Sequence, residues 1–297
     1  MNMEDRIMTY GGQAVIEGVL MRGRKAMAVA MRNPNGEIEV HTETLGGLYH
    51  SPIAKIPFVR GSILLWDALG LGMRALTLSA NVQTGEDEKL EGPMLYLTMA
   101  FSMLLGIGLF FLVPYGVSEL VKLVGLSNLA ANIFEGVFRL VLIGGYMAAI
   151  GRVPDIYRVF QYHGAEHKTI NAYESGSELT PEKVAQFPLE HPRCGTSFIL
   201  TLAIVSIFAF SFLHSYNVWI QISGRILLIP VLAGISLEYI RWMANHLDSQ
   251  IVCKIMKPNM WLQKLTTREP DLPQIEVAIR SFKEMMALET KEVQNAG

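Results

Sequence analysis

The 297-residue chain is poor in cysteine and in charge. Cys194 and Cys253 are its two cysteines, too few for a disulfide framework. Charged residues make up only 18%, and the formal net charge of -2 lacks the basic excess of a nucleic-acid binder, so no nucleic-acid partner is expected. Its glycines fit neither G-x-G-x-x-G nor the P-loop spacing, and no G-x-S-x-G elbow occurs. The opening residues MNMEDRIMTY carry acids and no apolar core, so a cleavable signal peptide is not expected. What the chain does have is clustered hydrophobicity. Residues 94–113 (MLYLTMAFSMLLGIGLFFLV) run twenty positions without a charge, enough to cross a hydrocarbon core about 30 Å thick at about 1.5 Å per residue. That run excludes an ordinary soluble enzyme and a disordered chain.

Four transmembrane helices follow from the pattern. Residues 133–150 hold Glu135 and Arg139 at i,i+4, a spacing that lets them pair on one face. Residues 197–213 are seventeen uncharged positions, extendable through His214 and Tyr216, and residues 226–240 are flanked by Arg225 and Arg241, read as snorkelling ends. Lysine and arginine gather in 151–196 and after 240, whereas the other two connections carry only Lys122, so the positive-inside rule puts both termini in the cytoplasm. The expected class is an α-helical polytopic membrane protein with a small α+β N-terminal cytoplasmic domain and a C-terminal amphipathic helix. Its parts are an N-terminal domain over 1–92, helices over 93–150, a cytoplasmic loop over 151–196, helices over 197–242 and a tail over 243–297. Within the first part, 26–32 and 37–44 flank Asn33-Pro34-Asn35-Gly36 as a β-hairpin, the second run alternating like a half-buried strand. Residues 62–80 read as an interfacial or packed helix, and the acidic stretch 86–91 separates it from the first span. In the tail, Asp271 and Gln274 form a capping-box start for a helix with an apolar stripe at Ile275, Ala278, Ile279, Phe282 and Met286.

The sharpest chemical pattern is His163-Gly164-Ala165-Glu166-His167, which fits H-x-x-E-H. On a helix the two imidazoles stand one above the other, with Glu166 on the same side. Two such nitrogens suit a divalent metal, zinc above others, leaving a position for water whose proton Glu166 would accept as the catalytic base. A third ligand is needed. Glu174, seven residues past His167, lies on the same face and is the first choice; His191, Cys194 and Glu17 compete with it. Cys194 beside Arg193 could alternatively be a nucleophile or a small buried residue. Gly164 weakens the helix by about 1 kcal/mol relative to alanine. Against the metal stands the plain alternative of histidines that face water or hydrogen-bond in a loop.

Five blocks carry a family resemblance: residues 11–23 (GGQAVIEGVLMRG), 57–61 (PFVRG), 162–168 (YHGAEHK), 191–197 (HPRCGTS) and 266–271 (TTREPD). On them the chain resembles the YqhQ family, bacterial polytopic membrane proteins described as predicted metal-dependent enzymes of unknown substrate. The resemblance implies a bacterial inner-membrane protein in contact with the lipid bilayer and points to His163, Glu166, His167, Glu17, His191 and Cys194; it supplies no reaction. The resulting expectation is a divalent-metal-dependent hydrolase at the cytoplasmic face. The alternative is a non-catalytic scaffold or biogenesis factor that docks a membrane-protein partner or a second copy of itself.

Overall fold

The computed structural model describes residues 10–46, 58–84, 92–213 and 217–295, together with Ile56. The acidic stretch 86–91, the opening nine residues, His50, His214 and Tyr216 lie outside them.

The chain folds into four antiparallel strands followed by helices. Strands β1 (Gly11–Val15), β2 (Gly18–Arg22), β3 (Ala26–Arg32) and β4 (Ile38–Thr44) form one meander in the order β1-β2-β3-β4. The β3–β4 hairpin is the expected one: the Asn33 side chain accepts the Glu37 N–H at 2.9 Å, and Gly36 takes a positive φ of 89°. The hairpin β1–β2 was not foreseen. Gly18 is required by packing, since a Cβ there would run into the Ala30 carbonyl of the neighbouring strand.

The sheet is covered on both sides, which is why β2 and β3 are nearly all apolar. Val19, Met21, Ala28 and Ala30 pack against Tyr162, Ala165 and Ile170 of α4 (Pro154–Glu174) and Ile275, Ala278 and Phe282 of α9 (Leu272–Asn295). Val15, Leu20, Met27, Val29 and Met31 face Leu71 and Ala75 of α1 (Val59–Thr84). Each such buried large side chain is worth about 1.5–3 kcal/mol. The capping box that opens α9 is reciprocal, with Gln274 N–H donating to Asp271 at 2.8 Å and Asp271 N–H to Gln274 at 3.0 Å. Helix α1 is packed, and a Cβ on its Gly61 would run into the Gly234 backbone, while one on Gly234 would meet the Phe58 carbonyl.

Among the described residues, three helices are long and apolar enough to cross a membrane: α2 (Gly92–Leu123), α3 (Asn128–Ile150) and α7 (Val218–Ala244). The fourth expected span, α6 (Gly195–Ser211), is apolar but shorter. A short α5 (Pro181–Val184) and α8 (Gln250–Gln263) complete the set. Arg225 does not snorkel from the end of its helix. It is buried in the bundle and bonded to Glu135 at 2.7 and 2.9 Å, because helix α7 starts eight residues earlier than the apolar run suggested.

Candidate metal centre

Helix α4 is where the sheet, the loop 185–194 and the segment 264–271 meet, and the H-x-x-E-H residues lie on it. It stays helical through Gly164 because that position needs no side chain: the Arg268 carbonyl and Leu189 occupy the space a Cβ would fill. The two imidazoles stack edge to face with centroids 4.4 Å apart. Their second nitrogens decide the geometry. His163 Nδ1 lies 2.8 Å from the Thr266 carbonyl, and His167 Nδ1 lies 2.5 Å from the Leu189 carbonyl. A carbonyl only accepts, so each Nδ1 carries the proton and each Nε2 is left with its lone pair. Such carbonyl-tethered imidazoles are the usual outer-shell support of metal ligands.

Cys194, the last residue before α6, closes the group. Its Sγ is 3.2 Å from His163 Nε2, and the donor atoms of His163, His167 and Cys194 all lie within 4.8 Å of one another. Tetrahedral zinc, with Zn–N ~2.0–2.1 Å and Zn–S ~2.3 Å, needs donors about 3.3–3.6 Å apart, so small side-chain adjustments suffice. His167 Nε2 is buried without a hydrogen-bond partner, as is Glu166 Oε2. Unpaired acceptors inside a protein are costly, and two in one pocket beside a thiol fit the needs of a cation. Burial pushes the Glu166 carboxyl up to about 8, against a partial counter-effect from His163, and Gly12 donates a main-chain hydrogen bond to it. A Cβ at Gly12 would run into the Leu20 carbonyl of the neighbouring strand and then the Glu166 side chain. Burial likewise lowers the His167 pKa and favours the neutral, ligating form.

The other expected residues fall elsewhere. Glu174 does not join the three donors: its carboxylate is clamped by Arg193 and lies 3.5 Å from His191 Nε2. The helix carries it two turns beyond His167, and the loop that brings Arg193 back neutralises it there. His191 is buried, its pKa lowered by that burial and partly restored by Glu174. Its ring centroid is 5.8 Å from that of His167, beside the centre rather than in it. Glu17, at the β1–β2 turn with φ 51°, is held by Arg158 through two 2.5 Å hydrogen bonds and by the Tyr162 hydroxyl at 3.2 Å. It straps the hairpin to α4. Arg158 is the main cause that holds the Glu17 carboxyl below its ordinary value.

Some contributors were invisible in the sequence. Leu189 and Thr266 act through main-chain carbonyls, for which no residue type is diagnostic. Gln263 was also missed. Wholly buried, it accepts the His191 N–H at 3.0 Å and donates to the His191 carbonyl and Ser197 hydroxyl at 2.9 Å, fixing the turn that presents Cys194. An amide three residues before Thr266-Thr267 was its only trace.

The family described as "Protein of unknown function (DUF1385)" matches residues 56–288. The "Uncharacterized protein YqhQ" of Bacillus subtilis is 38% identical over 304 residues, covering 96% of this chain and 95% of that protein. The chain belongs to this YqhQ-like family. No solved structure matches it. The DUF1385 match includes His163, His167 and Cys194 but begins after the sheet, whereas the similarity to YqhQ covers 96% of this chain.

Proposed function

We propose that this protein is a divalent-metal-dependent hydrolase of the bacterial inner membrane, with its centre on the cytoplasmic side. The observation that carries the reading is the convergence of three donors, with each imidazole's outer nitrogen tied to a carbonyl and a carboxylate oxygen left unpaired beside them. His163 Nε2, His167 Nε2 and Cys194 Sγ are the ligands, so Cys194 replaces Glu174 in that role. Bound there, a divalent metal would supply Lewis-acid activation of a water at the position that three protein ligands leave open. Glu166 Oε2, an unpaired acceptor beside the three donors, would take the attacking water's proton and return it to the leaving group. Gly12 and the sheet exclude bulk water around it.

The four-span arrangement, with α6 as the third crossing, keeps both termini and α4 on the lysine- and arginine-rich side. The test is metal content. Purified protein is expected to hold about one zinc per chain; Cys194→Ala and His163→Ala lose it, whereas Glu166→Gln retains it but loses hydrolysis across an ester, amide and phosphoester panel. X-ray absorption distinguishes three protein ligands plus oxygen from a closed four-ligand site. The closed site would support a bracing scaffold, and a metal-free protein would overturn both.

A further inference from the structure

The apolar bundle contains a second buried polar group, far along the helices from the α4 site, which the hydrolase reading does not use. Glu135 of α3 accepts Arg139 at 2.6 Å, Arg225 of α7 at 2.7 and 2.9 Å, and the Ser118 hydroxyl of α2 at 3.4 Å. Arg139 also donates to Ser206 of α6 at 3.2 Å and to the Phe110 carbonyl at 3.0 Å. That carbonyl lies in a π-helical turn, Gly108–Leu112, where the regular ladder of α2 is broken. Glu135, Arg139 and Arg225 are 1%, 4% and 7% exposed, so water does not screen them.

Two guanidinium groups meet one carboxylate. Glu119, the next acid on α2, is already paired with Lys122 at 2.5 Å. The faces of the two guanidiniums are covered by aromatic rings: Arg225 lies 4.3 Å from the Tyr115 centroid, and Arg139 lies 5.3 Å from that of Phe111. These spread the charge but do not cancel it. Arg225 Nε is buried with no hydrogen-bond partner. An uncompensated charge in a low-dielectric bundle is expensive, and ionisable groups inside membrane spans mark ion or ligand sites.

We infer that this cluster is an anion site, at which one monovalent anion is bound by Arg225 and Arg139 and brings the net charge from +1 to zero. The chemistry fits a halide, which sheds its water more readily than phosphate, or the single negative charge of a phospholipid phosphodiester. This inference stands independently of the metal centre.

The experiment compares thermal unfolding of the full chain in neutral phosphatidylcholine nanodiscs, in sodium bromide and in sodium gluconate at equal ionic strength. Bromide is expected to raise the midpoint by about 2–4 °C per tenfold increase above its dissociation constant. Arg225→Gln, whose cluster is neutral, loses that response. Glu135→Gln, whose cluster carries +2, binds bromide at least about tenfold more tightly by charge alone. Stabilisation in gluconate by phosphatidylglycerol, with no further gain from bromide, assigns the anion to lipid. A wild type that responds to neither halide nor anionic lipid overturns the inference, as does an Arg225→Gln protein that keeps the response. If Arg225→Gln does not fold, the wild-type and Glu135→Gln titrations decide alone.

Discussion

The α4 centre and the membrane cluster are both buried and polar, yet they are unsatisfied in opposite senses. At the His163–His167–Cys194 centre two acceptors, His167 Nε2 and Glu166 Oε2, have no donor. Around Glu135 a donor, Arg225 Nε, is left over in a group with one positive charge too many. The same rule, that buried polar groups find partners, therefore asks for a cation in one place and an anion in the other. Which kind of atom is left over says more than how many polar groups are buried.

The largest expected effect comes from breaking the membrane cluster. Glu135→Gln leaves two buried guanidiniums without their carboxylate and should cost about 3–5 kcal/mol, read as a lower unfolding midpoint in gluconate that bromide partly restores. A Glu135→Gln protein as stable as wild type in gluconate would show that its charges are screened and remove the contrast.

The α4 site is sharpened by Gly164→Ala. The added methyl meets the Arg268 carbonyl and should cost about 1–3 kcal/mol through overpacking. It should also weaken zinc binding, because Arg268 follows Thr266, whose carbonyl orients His163. Zinc competition against a chelator measures this, and unaltered affinity would count against carbonyl tethering as the support of the ligand.

The smallest effect belongs to the Glu17–Arg158 strap, whose side chains are 21% and 47% exposed. Arg158→Ala should cost below about 1 kcal/mol. The folded Glu17 carboxyl lies below its unfolded value of 4.5, so its contribution is complete above that pH and is lost as pH falls through the folded value. Wild type should therefore lose more stability than Arg158→Ala between about pH 5 and 3. Parallel curves would show the strap carries no coupling.

Much of the architecture could be read from periodicity. Long apolar runs located α2, α3 and α7, the i,i+4 spacing paired Glu135 with Arg139, and Asp271 with Gln274 announced the start of α9. The H-x-x-E-H spacing put His163, Glu166 and His167 on one helix face, since 3.6 residues per turn is a local property. Its extension to Glu174 failed for a non-local reason: Arg193, nineteen residues later, folds back and takes that carboxylate.

Local spacing along the chain thus determined which residues share a helix face, which runs suit a bilayer and where helices begin. Only the folded molecule decided that Cys194 meets His163, which carbonyls turn each imidazole, and the meeting of Arg225 with Glu135 across ninety residues. Those choices depend on which distant segments pack together, and the energy that selects them is shared among the whole sheet, loop and bundle rather than written in any single stretch.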